Sequence, residues 1–255
     1  MEELVLPEIE IPEEQPSVNL EEICIEAEGL LKSAKPTESL KLLKPYLHNE
    51  ASKDAKSWRI AAASMAGLDL DDHAINAFTH ALSIEPDAKA FFNLGMIQHR
   101  QGDLSSAQKS FHSALATDDN YLNAAKKLTV IAQENEDVES YLIGLRAIAR
   151  ISGDDVDRIA LATALVEIAE GESVILENMS SLPPTIPQGP ELAEEARKLL
   201  EGKSGAILAR ALSLCGMHTE SVVQWKKLIE SDKQNPAHWL GLSKSLEAAG
   251  DRERA

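Results

Sequence analysis

The sequence is poor in aromatic residues, cysteines and cationic side chains, and each shortage excludes something. Only ten of the 255 residues are Phe, Trp or Tyr, so each aromatic position is informative about packing. The two cysteines, Cys24 and Cys215, stand far apart in no metal-binding or redox spacing, which indicates reduced thiols rather than a disulfide framework. Lys and Arg number 25 against 42 Asp and Glu, a formal net charge of −17. This excess of negative charge argues against nucleic acid or an anionic membrane as a partner.

Long apolar runs and targeting signals are also missing. No apolar run approaches the roughly 18 residues that a membrane-spanning helix requires. The N-terminal stretch MEELVLPEIEIPEEQP contains no Lys or Arg, whereas a secretory signal begins with basic residues before an apolar segment. Its glutamates and prolines predict an acidic, disordered tail over residues 1–17. By elimination, we expect a cytoplasmic location.

The motifs that carry chemistry are absent as well. Gly202, Lys203 and Ser204 resemble the end of a phosphate-binding loop, but Arg197 occupies the position of its first glycine. The seven histidines form no zinc-binding helix motif, and no nucleophile elbow is present. We therefore predict no catalytic residues, no metal, no cofactor and no small-molecule substrate, and interpret the chain as non-enzymatic.

What the sequence does contain is an internal repeat. Three pairs of like residues are separated by 33 positions, namely Trp58 and Phe91, Ala74 and Ala107, and Phe78 and Phe111. Gly216 and Gly250 repeat at a spacing of 34 near the C-terminal end. Self-similarity at such a period, with helical periodicity inside each unit, predicts a helical solenoid.

These residues resemble the tetratricopeptide repeat family. The family pattern has an aromatic and a Leu-Gly pair in the first helix, then two alanines flanking an aromatic in the second. One unit supplies this pattern as Phe91, Leu94, Gly95, Ala107, Phe111 and Ala114, and the resemblance is clearest over 55–121 and 202–255. It implies an all-α fold, a right-handed α-solenoid or superhelix of stacked antiparallel helix pairs. It also gives Gly95 a role, because a close contact between the two helices of a pair leaves no room for a side chain.

The expected domain organisation is a repeat domain over residues 18–255 that follows the tail. Its units are 20–50, 55–87, 88–121, 122–153, 154–201, 202–235 and a partial unit over 236–255. The 154–201 unit carries a proline-rich insertion over 171–190, which we expect to be a mobile surface loop. Because the last unit stops after its first helix, we expect the chain to be truncated at its C-terminus relative to a longer protein.

A stripe beside the Gly95 contact is the candidate binding surface. Lys89, Phe92, Met96 and His99 share one side of their helix and are expected to face the concave groove. Exposed Phe92 and Met96 would anchor an apolar partner segment. The alternative is that the neighbouring repeat covers both side chains.

Polar residues extend this candidate groove. Some family members clamp the acidic C-terminal tail of a cytosolic heat-shock chaperone, and Arg59, Asn93 and Lys127 resemble three of the clamping groups. Lys126 lies beside them, but Ala63 and Asn123 replace two further clamp residues, so the clamp is incomplete.

Together these features predict a protein–protein interaction scaffold or adaptor that binds a peptide or helix of a partner in the concave groove. The predicted groove residues are Arg59, Phe92, Asn93, Met96, Lys126 and Lys127. Two alternatives remain open. In the first, the chain is the regulatory or scaffolding arm of a larger enzyme whose catalytic domain lies beyond residue 255. In the second, it is a chaperone-tail-binding cochaperone with an incomplete carboxylate clamp.

Overall fold

The computed structural model describes residues 19–177 and 182–250. Within these ranges every regular element is helical: thirteen α-helices and one short 3₁₀-helix, with no strand in the described part of the chain. The predicted all-α class is confirmed. The expected tail over 1–17 and the C-terminal residues 251–255 lie outside the described residues.

The chain divides into two compact units, Met1–Pro86 and Asp87–Ala255. The described part of the first unit contains α1 (Leu20–Lys32), α2 (Pro36–Leu43), α3 (Ala55–Ala66) and α4 (Asp71–Ile84). Helix α2 ends two residues before Pro45, as the ring of that proline requires. Each helix packs against the next, and α3 also packs on α1 around buried Cys24, Ala27 and Ile60.

The second unit continues the same arrangement with more helices. Its elements are α5 (Ala88–Arg100), α6 (Leu104–Thr117), α7 (Leu122–Glu134), α8 (Val138–Ser152), α9 (Asp155–Glu170), the 3₁₀-helix Val174–Leu176, α10 (Gly189–Leu199), α11 (Ala206–Leu214), α12 (His218–Ser231) and α13 (Pro236–Ala248). Helices pack as pairs, α5 with α6 through α11 with α12, and each pair packs on the next. Such nearest-neighbour contact is the defining property of a helical repeat.

Aspartates fix where many of these helices begin. Asp103 and Asp137, 34 residues apart, each accept a hydrogen bond from the backbone amide of the serine three residues later, at 3.0 and 3.1 Å. Asp87 caps α5 in the same way, at 2.6 Å from the amide of Ala90. A capping carboxylate satisfies an otherwise unpaired amide of the first helical turn, so the repeat of aspartates helps to set the repeat of helices.

The close contact predicted at Gly95 is present. A β-carbon placed on Gly95 would lie 2.9 Å from Cε1 of Phe111 and 3.2 Å from the carbonyl oxygen of Ala107. Phe111, Ala107 and Ala114 are fully buried on the facing side of α6. The glycine of α5 and the small and aromatic residues of α6 are therefore two sides of one packing contact. A close contact between successive units, which the repeat pattern did not indicate, brings Gly241 of α13 against the indole of Trp225 on α12.

The insertion between α9 and α10 differs from the loop that the sequence predicts. Residues 182–188 are irregular as expected, but the described parts of the segment also contribute side chains to the core. Ile175 and Ile186 are 4% and 5% exposed and join the core formed by α8, α9 and α10. The hydroxyl of Thr185 also donates to Oε2 of Glu139 on α8, at 3.1 Å. The two buried isoleucines anchor this segment, because removing their apolar side chains from water is favourable even where the backbone is irregular.

Ion pairs hold the α9–α10 pair to its neighbours. Arg146 of α8 donates two hydrogen bonds to Glu195 of α10, at 2.8 and 2.7 Å, and this contact keeps the pKa of Arg146 above its usual value. Arg210 of α11 donates through Nε to Glu170 of α9, at 3.0 Å. The contact between Arg146 and Glu195 has the bidentate geometry that a guanidinium and a carboxylate prefer.

Candidate functional site

The predicted groove residues lie on three first helices of repeats, α3, α5 and α7. On α3, in the first unit, the side chain of Arg59 is 23% exposed and its Nη1 donates to Oε2 of Glu85 at 3.1 Å. A carboxylate of the same chain therefore already pairs with this guanidinium. A partner carboxylate would have to compete with Glu85 for it.

The stripe on α5 faces the next first helix rather than open solvent. The ring of Phe92 lies 5.6 Å from that of Phe111 and 5.3 Å from that of Tyr121, measured between centroids. Phe92 and Met96 are half-buried against the core that α6 and α7 form. His99, at the end of the stripe, is 3.5 Å from Glu134 of α7. The alternative noted from the sequence therefore applies: the neighbouring repeat covers most of the apolar anchor, and only its edge is available to a partner.

The polar residues of the second unit are more accessible. Lys126 is exposed, and Asn93 and Lys127 are half-buried. Asn93 and Lys127 are 34 residues apart, so they occupy equivalent positions on successive first helices and line the same side of the stack. Neither lysine is paired with a carboxylate among the residues that the structure describes. We call Asn93, Lys126 and Lys127 the α5–α7 polar site.

A serine, a histidine and an aspartate also meet in the second unit, where the combination invites comparison with a catalytic triad. Nε2 of His112 lies 2.7 Å from Oγ of Ser140, and that hydroxyl donates to Oδ2 of Asp137 at 2.8 Å. Because the one hydroxyl proton goes to Asp137, His112 must donate to Ser140 rather than accept its proton. Here the serine stands between the histidine and the aspartate, whereas in a catalytic triad the histidine is the central residue.

Burial confirms that this cluster is a packed capping network. Ser140 is 4% exposed and also accepts from Nε2 of Gln108 at 2.8 Å. Burial raises the pKa of Asp137, but hydrogen bonds from the amide and hydroxyl of Ser140 and from Gln108 outweigh it, so the pKa lies below its usual value. Burial lowers the pKa of His112, against the opposing effect of Asp137 and Glu139. The network ties α6 to the start of α8 and presents no exposed nucleophile.

The same device occurs in the first unit with a cysteine in place of the histidine. Asp54 caps α3 through the amide of Ser57 at 2.8 Å, and Oγ of Ser57 lies 3.2 Å from Sγ of buried Cys24. Burial raises the pKa of the Cys24 thiol, which keeps it protonated and unreactive. The sequence signal for both networks was available, because an aspartate precedes a serine by three residues at each helix start.

The described residues offer neither a group of metal ligands nor a helix suited to a bilayer. Within 19–177 and 182–250, no three His, Cys, Asp or Glu side chains are grouped so as to hold a metal ion. No helix in the same ranges is long and apolar enough to cross a bilayer.

A cavity of about 570 Å³ lies in the first unit, and sequence reasoning missed it. It brings together His48, His73 and His80, whose spacing along the chain follows no motif. Only the packing of α2, α3 and α4 places these three side chains around one space.

Comparison with known proteins identifies the fold but not a family. No protein-family model matches the sequence, and no curated protein does. One chain of the solved structure of Naa15/Naa10 bound to HypK-THB is similar, with 15% identity over 90% of this chain and 39% of that chain and a TM-score of 0.52. A tetratricopeptide repeat protein from Parabacteroides merdae matches at 12% identity over 92% of this chain and 88% of that one, with a TM-score of 0.49.

A third structure, YrrB, a tetratricopeptide repeat protein with an unusual peptide-binding site, matches at 13% identity over 70% of this chain and 85% of that one, with a TM-score of 0.49. At such identities the likeness is one of fold alone. Together with the stacked helix pairs, the likeness to the Naa15/Naa10 chain shows an all-α helical repeat similar to the tetratricopeptide repeat.

Proposed function

We propose that the protein is a non-catalytic interaction scaffold that binds an acidic peptide segment of a partner protein at the α5–α7 polar site. The observation that carries this proposal is the pair of adjacent, unpaired lysines, Lys126 and Lys127, on a chain of net charge −17. Arg59 of α3, by contrast, already has a carboxylate partner in Glu85. Two cations left without one attract a negatively charged partner.

Asn93 adds a directional contact to this charge. It stands one repeat before Lys127, so its amide and the two ammonium groups are offered along successive first helices. An extended peptide can pair its carboxylates with the lysines while its backbone meets the amide. Phe92 and Met96 contribute a half-buried apolar edge beside this path. The structure of Naa15/Naa10 bound to HypK-THB supports a protein partner for a fold of this kind.

The test is a binding selection with a defined probe. A phage library of random 12-residue peptides is selected against the full chain, and the selected peptides are synthesised and measured by calorimetry. We expect acidic peptides whose affinity falls about tenfold in the Lys126→Glu/Lys127→Glu double variant, because two attractive contacts become repulsive. Phe92 is left unchanged, since its ring also packs against Phe111 and Tyr121.

The matched control is Lys226→Glu/Lys227→Glu, which makes the same change of four charges at two adjacent exposed positions of α12. It is expected to bind the selected peptides as the unaltered chain does. If the control and the Lys126→Glu/Lys127→Glu variant lost affinity equally, the loss would be an effect of net charge, which would contradict the proposed site. Failure to select any peptide would contradict the proposed function itself.

The same peptides separate the chaperone-tail alternative. Its clamp requires a free C-terminal carboxylate, so amidated peptides would lose affinity under that alternative and keep it under the proposal. No contact among the described residues favours either the cochaperone or the enzyme-arm reading over the scaffold.

A further inference from the structure

The cavity of about 570 Å³ in the first unit lies between α2 with the turn that follows it, α3 and α4. Trp58 and Met65 of α3 form one wall. They are seven residues apart and therefore share a helix face, whereas Arg59 points about 100° away from Trp58. The cavity is thus a different surface from the groove residues already considered. Its volume falls in the usual range for ligand sites, roughly 300–1,000 Å³.

The lining of the cavity combines apolar walls with a basic and polar rim. Leu40, Leu47 and Leu70 face it, with Leu70 43% exposed. Lys44, His73 and Asn76, all exposed, stand at its edge beside the remaining histidines. Among the residues that the structure describes, none that lines the cavity is acidic. In a chain with 42 acidic residues, a cavity walled by none of them is suited to an apolar group that carries a negative charge.

Trp58 gives the cavity an unused hydrogen-bond donor. Its Nε1 is buried and has no hydrogen-bond acceptor within 19–177 and 182–250. The indole ring stands edge-on between two imidazoles, with centroids 5.6 Å from His48 and 4.6 Å from His80. A buried donor without an acceptor is unfavourable, so a bound acceptor would be favoured there. The ring of His80 is held by a hydrogen bond with the carbonyl oxygen of Ser52 at 3.2 Å, so an incoming carboxylate reaches the indole nitrogen when the ring of the exposed His48 turns aside.

From these three observations we propose that the cavity binds an acidic peptide of a partner protein, with an aliphatic side chain inserted between the leucines and Met65. A neighbouring carboxylate then lies at Lys44 and the histidine rim, within reach of the N–H of Trp58. The inference rests on the peptide-binding role proposed above but concerns another surface. The two proposals can therefore fail separately.

The experiment follows the indole signal of Trp58 in the ¹⁵N-labelled full chain. The probe is the blocked synthetic peptide ELVLPEIEIPEE, which combines aliphatic with acidic residues and has no cation. A Trp58→Phe variant assigns the signal. We expect the signal to move on titration, and we expect binding about fivefold weaker in both Lys44→Glu and His73→Glu, which change exposed rim residues.

Two controls isolate the charge and the position. Lys41→Glu, an exposed change on the same helix that does not line the cavity, is expected to bind as the unaltered chain does. The peptide QLVLPQIQIPQQ, which keeps the shape and loses the charge, is expected to bind about fivefold more weakly. The Lys126→Glu/Lys127→Glu variant should bind the acidic peptide unchanged, which separates this site from the α5–α7 polar site.

Three results would overturn the proposal. The first is a Trp58 signal that stays fixed at saturating peptide. The second is equal weakening by Lys44→Glu and Lys41→Glu, or equal binding of the two peptides. The third concerns the chain's own first residues, whose sequence the probe copies: if deleting residues 1–17 moves the Trp58 signal before any peptide is added, the occupant is that segment and not a partner.

Discussion

Two helix pairs of the second unit, α5–α6 and α9–α10, have the same role in the stack but are held together differently. In the first, residues 101–103 connect the helices and Gly95 lies directly against Phe111. In the second, residues 171–188 intervene, and buried isoleucines of that segment, with ion pairs from α8 and α11, add to the direct packing of α9 on α10. Both pairs pack helix to helix, but only the second is reinforced by its connecting segment and by the helices on either side.

The difference shows how a repeat tolerates an insertion. A short connection leaves the two helices little freedom, so a small residue at the crossing suffices to fix their contact. A long connection costs more chain entropy to close, and the segment offsets part of that cost by burying Ile175 and Ile186. The described parts of the insertion therefore contribute to the core of the pair that they connect.

The largest expected effect comes from filling the contact within α5–α6. Gly95→Leu places a side chain where even a β-carbon would lie 2.9 Å from Phe111, so the helices must separate. We expect the free energy of unfolding to fall by about 3 kcal/mol, measured by urea denaturation. The control is Gly29→Leu in α1, where an added β-carbon meets nothing within 4 Å and leucine gains about 0.5–1 kcal/mol of helix propensity. Equal stability of the Gly95→Leu variant and the unaltered chain would refute the packing contact.

A smaller effect is expected from emptying the anchor of the insertion. Ile186→Ala removes a side chain that is only 5% exposed, and we expect a loss of about 2 kcal/mol in the same measurement. Val174→Ala, at a side chain 66% exposed in the same segment, is the matched control and should change stability by less than about 0.5 kcal/mol. If both changes were equally mild, the segment would not be part of the core, and the comparison between the two pairs would fail.

The smallest effect is an acid dependence of α10. Hydrogen bonds from Arg197 lower the pKa of Glu194 to about 2, from an ordinary value of 4.5. Because the folded pKa is the lower one, the carboxylate stabilises the fold above pH 4.5, and this contribution is lost as the pH falls from 4.5 towards 2. Urea denaturation across this range should show the unaltered chain losing its advantage over Glu194→Gln. A stability difference that stayed constant with pH would show that the charge of Glu194 does not contribute.

Much of the architecture was predictable because it depends on local or periodic features. Residues close in sequence or one repeat apart account for the 33- and 34-residue spacings and the Gly95–Phe111 contact. They also account for the end of α2 before Pro45 and for the irregular residues that precede α10. The role of Phe92 and Met96 did not follow. A helix face that the pattern marks as free is covered by α7, and the angle between successive repeats, which decides this, is not encoded in one repeat.

The sequence by itself determined that the chain forms paired helices in a repeat, because spacing, capping and small residues act over one or two units. Tertiary structure alone decided which charges are free and which cavities exist. Arg59 is paired with Glu85 and Lys126 is not, although both are cations on first helices. Three histidines without a common spacing meet at one cavity beside an unpaired indole N–H. The physical reason is that pairing and enclosure depend on distances across helices, which no periodicity within a helix specifies.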